Sequence, residues 1–404
     1  MQLGWVDFSE EERGRALDVL NLFKEQGTLD ELGTGAVRDA FANFFFPGTS
    51  TVQTRAKYFL LVPYILREAA QGAYGNTVPQ MKKKIDHAER QCALQLLEKN
   101  GKNAGVIGSR NLPKKWVART PMSIYWSGIR TWGIFKENMS VDTYLKLSLI
   151  KHAAKTQHLG NRSDDTEENE GDDRDAGNAL SISLWNLPVR ELSEDWMEEV
   201  DIALSADEAM FLKECVLTAL PDSLLAFLLK REMDIQSFNN DFAALTEGLR
   251  DIVPDDMGKR MQMACDFNEL LVPLRVRYNL ILSQGENSTA VEIWEQLSPR
   301  VQEAAGVVDI DELFLLMGIG NPLLRSFLHQ CQNALVARDF ETTDQLIKAR
   351  ECHLKGAERA KTNHPGEFNV DEWYGGYTLN YRMPTASTFI HDILEGSHLN
   401  AENG

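Results

Sequence analysis

The sequence predicts a mainly α-helical protein with a minor β element, arranged as two helical domains. Three observations carry that expectation. Apolar residues recur at helical spacing along most of the chain, capping signals precede those runs, and 404 residues exceed what a single hydrophobic core accommodates. Hydrophobic residues at 43% and charged residues at 25% are the proportions of a globular protein.

The first helix is expected after Ser9 and Glu12, a capping-box pair in front of Ala16, Leu20 and Phe23. A second runs from about Gly35 to Phe45, with Val37, Phe41, Phe44 and Phe45 as its apolar positions and Pro47-Gly48 as its stop. A third starts near Ser50 or Thr51, carries Val52, Phe59 and Leu66 inward and is expected to kink at Pro63. The fourth follows Pro79 and sets Ile85, Ala88, Cys92 and Leu96 on one face, leaving Lys82, Lys83, Lys84 and Arg90 elsewhere. After a turn-rich stretch from Asn100 to Pro113, Tyr125, Ile129 and Trp132 have helical spacing and Gly133 stands as a C-terminal cap. Short helices around a turn here fit a helix-turn-helix or winged-helix-like module, and equally a three-helix packing without DNA contact.

Farther along, Ser205 with Glu208 forms another capping box before Leu212, Cys215, Val216 and Ala219. A helix from Pro322 uses Leu324, Phe327, Leu328, Cys331 and Leu335. Leu180 to Trp185 and Tyr377 to Arg382 alternate as strands do and supply the minor β element.

Charge divides the chain into a basic helical domain over 1–158, an acidic disordered linker or loop over 159–179, and an acidic helical domain over 180–404. Lys and Arg number 22 against 15 Asp and Glu in the first, 2 against 8 in the second, and 18 against 37 in the third. The linker assignment rests on composition, since a run without large apolar residues offers no buried surface to offset ordering entropy. Within a chain of net charge −18, residues 55–155 hold 18 Lys and Arg against 6 acids. Such a block points to a polyanionic partner, DNA or RNA.

The candidate contacts follow from that block. In PGTSTVQTRAKY, residues 47–58, a turn feeding a helix would offer unpaired backbone N–H groups beside Ser50, Thr51, Thr54, Arg55 and Lys57, the chemistry of phosphate capture. Ordinary helix capping requires the same hydroxyls. Lys82, Lys83, Lys84, Lys114, Lys115, Arg119 and Arg130 add charge. Trp116, Tyr125, Trp126, Trp132, Phe135 and Tyr144 are interleaved with such cations, so they could stack on bases or form a core. A second basic strip, Lys348 to Lys361, reads as a solvated helix face or a phosphate contact.

Catalytic signatures are missing. The chain has no Gly-Lys-Ser/Thr phosphate loop, no Gly-x-Ser-x-Gly elbow, no Gly-x-Gly-x-x-Gly and no His-Glu-x-x-His, and its eight histidines are dispersed. No cofactor or metal is therefore expected. A metal-dependent nuclease remains the alternative, in which acids such as Asp7 and Asp39 converge in the fold. Five single cysteines read as reduced core residues. The longest apolar run, Phe59 to Leu66, is far short of the ~20 residues of a membrane span, and the opening residues lack a secretory pattern, so a cytoplasmic protein without membrane contact is expected.

The segments GWVDFSEEER and ELGTGAVRDAFANFFFPGTSTVQTRAKYF resemble the corresponding blocks of a family of uncharacterised bacterial proteins, with further similarity in SIYWSGIRTWGI, LSADEAMFLKE, LPDSLLAFLL, KGAERAK and LNYR. That resemblance implies a setting in antiphage defence loci similar to DISARM, beside helicases and phospholipase-D-like nucleases. It implies no catalytic residue. The resulting expectation is a non-catalytic subunit binding nucleic acid and protein partners, with a defence nuclease or a purely protein-binding scaffold as alternatives.

Overall fold

A computed structural model of the chain describes residues 30–73, 75–160, 184–188 and 196–398. The predicted capping box at Ser9, the acidic run from 161 to 178 and residues 180–183 of the first predicted strand lie outside the described residues.

The architecture is all-helical. Besides a single helical turn at Trp196–Glu199, the helices in chain order are α1 (Gly35–Phe45), α2 (Tyr58–Glu68), α3 (Val78–Asn100), α4 (Pro121–Thr131), α5 (Val141–Gly160), α6 (Ala206–Ala219), α7 (Leu224–Lys230) and α8 (Phe242–Leu249). They continue as α9 (Asp255–Leu282), α10 (Ser288–Leu297), α11 (Val301–Gly306), α12 (Ile310–Leu316), α13 (Pro322–Val336), α14 (Phe340–Lys355) and α15 (Met383–His398). Among the described residues there is no strand, and the expected β element reduces to one antiparallel bridge between Phe135 and Trp185. Residues 101–120 connect α3 to α4, far longer than the turn of about three or four residues in a helix-turn-helix, so these two helices are not joined in that way.

Packing gathers the chain into two compact units, each made from two stretches: 1–40 with 259–379, and 41–258 with 380–404. This division follows spatial proximity, whereas the sequence division follows charge.

In the unit holding residues 41–258 and 380–404, local signals are used as expected. Ser205 Oγ accepts the Glu208 amide while the Glu208 carboxylate accepts the Ser205 amide, completing the capping box of α6. Thr77 caps α3, whose buried face is Met81, Ile85, Ala88, Glu89, Cys92, Ala93 and Leu96. The aromatic residues form the core. Phe59 and Trp132 stack at 3.8 Å, Phe389 meets both edge-on, and Trp126, Phe135, Tyr144 and Trp185 form a second cluster.

The third helix departs from expectation. It begins at Tyr58, not at Ser50 or Thr51, and Val52 is 41% exposed. Side chains hold the preceding segment in turns: Gln53 accepts the Ser50 amide at 2.7 Å, and the Tyr125 hydroxyl accepts the Thr54 and Arg55 amides at 2.8 and 3.1 Å.

The other unit is organised by α9 and α14. Arg277 lies against the Trp294 and Phe340 rings and pairs with Asp344. Glu351, fully buried, accepts bonds from the Tyr278 hydroxyl, the Lys355 ammonium and the Thr362 amide. Burial pushes its carboxyl up, but these donors together hold it below the ordinary carboxylate range. Tyr377 to Arg382, expected as a strand, is a turn-rich loop. Its neighbours are side chains of α9: Asn268 exchanges two hydrogen bonds with Leu379, Asn279 exchanges two with Tyr374, and Arg275 donates to the Tyr377 carbonyl.

Gly128 on α4 packs against the 47–49 turn so closely that a Cβ would collide with the Gly48 carbonyl oxygen and lie 2.8 Å from the Phe59 ring. Gly128→Ala is therefore expected to cost roughly 1–3 kcal/mol, the range for overpacking a dense core. Urea unfolding of the two proteins measures it, and equal midpoints would show that the packing relaxes without strain.

Candidate nucleic-acid interface

Charges of the basic block fall into two groups with different surroundings. The first is internal. The Arg55 guanidinium forms a forked contact with Asp392, with Nε 2.9 Å from both carboxylate oxygens and a terminal nitrogen at 2.8 Å, and donates to the Ala104 carbonyl. Asp392 also accepts the Ala56 amide at 2.8 Å. Burial pushes the Asp392 carboxyl up, and Arg55 with the Ala56 amide opposes that shift. The Lys57 ammonium lies 2.6 and 2.8 Å from the two Glu208 oxygens and donates to the Ala203 carbonyl.

These contacts remove the predicted anion cradle. No helix starts at Ser50, the Ser50 carbonyl accepts from Thr385, the Thr54 amide goes to Tyr125, and Arg55 and Lys57 are neutralised by carboxylates from the acidic half. Thr51 stays exposed, with both cations of its segment committed elsewhere. Sequence reasoning missed Asp392 altogether and recognised Glu208 only as a capping residue, for their cationic partners lie 337 and 151 residues away.

The second group is external and belongs to α3 and the 101–120 loop. Lys83 and Lys84 on α3 are exposed, as are Lys114, Lys115 and Arg119 on the loop. Two hydrogen bonds tie loop to helix: Arg90 donates to the Pro113 carbonyl at 3.0 Å, and the Trp116 indole donates to Asp86 at 2.9 Å. Asp86 and Arg90 stand one turn apart on α3 and Lys83 precedes Asp86 by one turn, so the Pro113–Trp116 segment that carries Lys114 and Lys115 is held to α3 within two turns of Lys83. Lys82 pairs with Asp142 at the start of α5. Arg130 is half-buried near the C-terminal end of α4, where it donates to Asn138.

The rings expected to alternate with these cations are placed inward. Tyr125, Trp126, Trp132, Phe135 and Tyr144 are buried, and Trp116 is half-buried with its ring against Gly108. The second basic strip is also partly internal. Arg350 is buried and donates to the Leu32 carbonyl, while Lys355 and Lys361 pair with Glu31. Among the described residues no three His, Cys, Asp or Glu side chains form a group able to hold a metal; Asp39 is engaged by Arg38, and Asp7 lies outside the described residues.

Glu89 fixes the far end of the loop. Its carboxyl Oε1 accepts the Met122 amide in the first turn of α4, supplying the cap that the Thr120 side chain does not. A helix start favours the anion, yet burial prevails and raises the carboxyl to about 8, with the Asp86 charge adding to the rise.

A family model for a family of unknown function, DUF6361, matches residues 1–290. The chain belongs to the DUF6361 family. No curated protein and no solved structure matches it. The DUF6361 match includes the tethered loop, Arg55, Lys57 and Glu208, whereas Asp392 and the KGAERAK and LNYR segments lie beyond it.

Two expected outcomes follow from the site's charges. Asp392→Ala leaves Arg55 without its partner and is expected to destabilise the protein by about 3–5 kcal/mol, measured by denaturant unfolding. For Glu89 the folded chain retains a proton that the unfolded chain releases between pH 4.5 and about 8, so stability should fall as pH rises through that window. The slope is at most about 1.4 kcal/mol per pH unit. Glu89→Gln should flatten the dependence in melting curves at pH 5.5, 7 and 8.5, and an unchanged slope in the variant rules out the buried proton.

Proposed function

We propose that the chain is a non-catalytic subunit of a cytoplasmic bacterial antiphage defence complex, binding nucleic acid through α3 and the 101–120 loop and docking protein partners through its acidic surface. The observation that carries this reading is the tethering of the Lys114–Lys115 loop to α3 beside Lys83 by the Arg90 and Trp116 hydrogen bonds. Ammonium groups on a fixed frame meet phosphates with little further ordering cost and release condensed counterions. The defence setting is supported by the resemblance of the GWVDFSEEER and RDAFANFFFPGTSTVQTRAKYF blocks, with a helicase or nuclease as the class of protein partner.

One observation favours a scaffold that touches no nucleic acid. Arg55, Lys57 and Lys99 are occupied by Asp392, Glu208 and Asp201, so cations of the basic segment hold carboxylates of the acidic one. The two readings separate in an electrophoretic shift assay on the full chain at increasing salt. Binding across Z phosphates gives a slope of log K against log salt near −0.9Z on B-DNA. The triple variant Lys83→Ala, Lys114→Ala, Lys115→Ala should make that slope shallower by about 0.9 for each phosphate no longer neutralised, with equal weakening on unrelated sequences. Absence of any shift with DNA or RNA at low salt would leave the scaffold.

A further inference from the structure

Resting on the nucleic-acid reading of α3 and its loop, we infer that the ligand this surface takes is the outer phosphate backbone of a duplex, read without base preference, rather than an unpaired strand. The inference comes from where the aromatic rings of the basic block are placed. Recognition of an unpaired strand combines cations along the backbone with aromatic faces on which successive bases stack, each contributing on the order of 1–3 kcal/mol. Here those faces are already covered by other rings. Trp132 is stacked on Phe59 with its other neighbour Phe389 edge-on, Tyr125 packs against Tyr58 and Phe59, and Trp126, Phe135 and Tyr144 close on Trp185.

Trp116, the ring of the set that sits beside the exposed lysines, is committed on two sides. Its indole nitrogen donates to Asp86, and its six-membered ring approaches Gly108 so closely that a Cβ there would be 3.0 Å away. Swinging the ring out to meet a base would break one of the two hydrogen bonds that hold the Lys114–Lys115 loop against α3. An unpaired strand therefore gains the phosphate contacts only by leaving its bases unstacked.

A duplex has no such deficit. Its bases are stacked internally, and it offers about one phosphate charge per 1.7 Å of axis, a higher density than a single strand. Lys83, Lys114 and Lys115 present compact ammonium charges without the rigid planar fork of Arg, and contacts to phosphates carry no sequence information. Affinity should then follow charge density and ignore sequence.

The test is fluorescence anisotropy of the full chain with a labelled mixed-sequence duplex and, separately, each of its two strands, over a series of salt concentrations. The expected result is duplex binding tighter than either strand by roughly tenfold at equal salt, and unchanged within about threefold when the duplex sequence is replaced. Equal or tighter binding of a single strand overturns the inference and leaves the nucleic-acid reading standing. So does strong dependence on duplex sequence. Failure of the chain to bind duplex or strand overturns both.

Discussion

The forked contact between Arg55 and Asp392 is the constraint on which one compact unit depends. It joins a turn early in the chain to the middle of its last helix, and it brings with it the Ala56 amide and the Ala104 carbonyl. Two charges this well enclosed persist only because every donor has an acceptor: removing ions from water costs several kcal/mol each, and their attraction offsets that cost only when the remaining hydrogen bonds are made. Lys57 and Glu208 repeat the arrangement two residues later, with Glu208 serving both the lysine and the start of α6. The excess of cations in the first half of the chain is thus partly an assembly device. Late carboxylates seat themselves on early cations, and what remains outside is a smaller, tethered group on α3 and its following loop.

Much of the helical plan is legible in the sequence because its signals are local. Ser205 and Glu208 cap a helix through bonds three residues long, and the apolar spacing of Gly35–Phe45 or Pro322–Val336 needs no partner to be recognised. The failures share a physical cause, for each involves a partner distant in sequence. Ser50 and Thr51 have the chemistry of a helix start, but the Tyr125 hydroxyl, 71 residues away, takes the Thr54 amide and keeps the segment in turns. Tyr377 to Arg382 alternates like a strand, yet its backbone bonds go to Asn268 and Arg275 side chains on a helix.

The candidate interface is legible in composition and not in membership. Lys83, Lys84, Lys114 and Lys115 are where a surplus of cations predicts exposed charge, while Arg55 and Lys57, equal to them in sequence terms, are interior. Interleaved tryptophans and tyrosines carry the same ambiguity. Their spacing suits a stacking surface and a helical core alike, and only the positions of Phe59, Phe389 and Trp185 distinguish the two. Glu89 has no signal at all, since its role as the cap of a neighbouring helix depends on a loop of about twenty intervening positions folding back onto α3.

The clamps on α9 and at the start of α10 carry a different lesson. Carboxamide side chains of Asn268 and Asn279 present one donor and one acceptor each to the main chain of the 374–379 segment, and Asn287 donates to the carbonyls of Val370 and Glu372. These amides grip peptide groups and so fix the path of the strap through its main chain, while Gly375 at φ +78°, the buried Leu379 and the Tyr374 ring beneath Lys361 add side-chain demands of their own. Drift in the strap's lettering should accordingly be tolerated only away from the left-handed glycine and the buried leucine, and drift at the three asparagines should unfasten it.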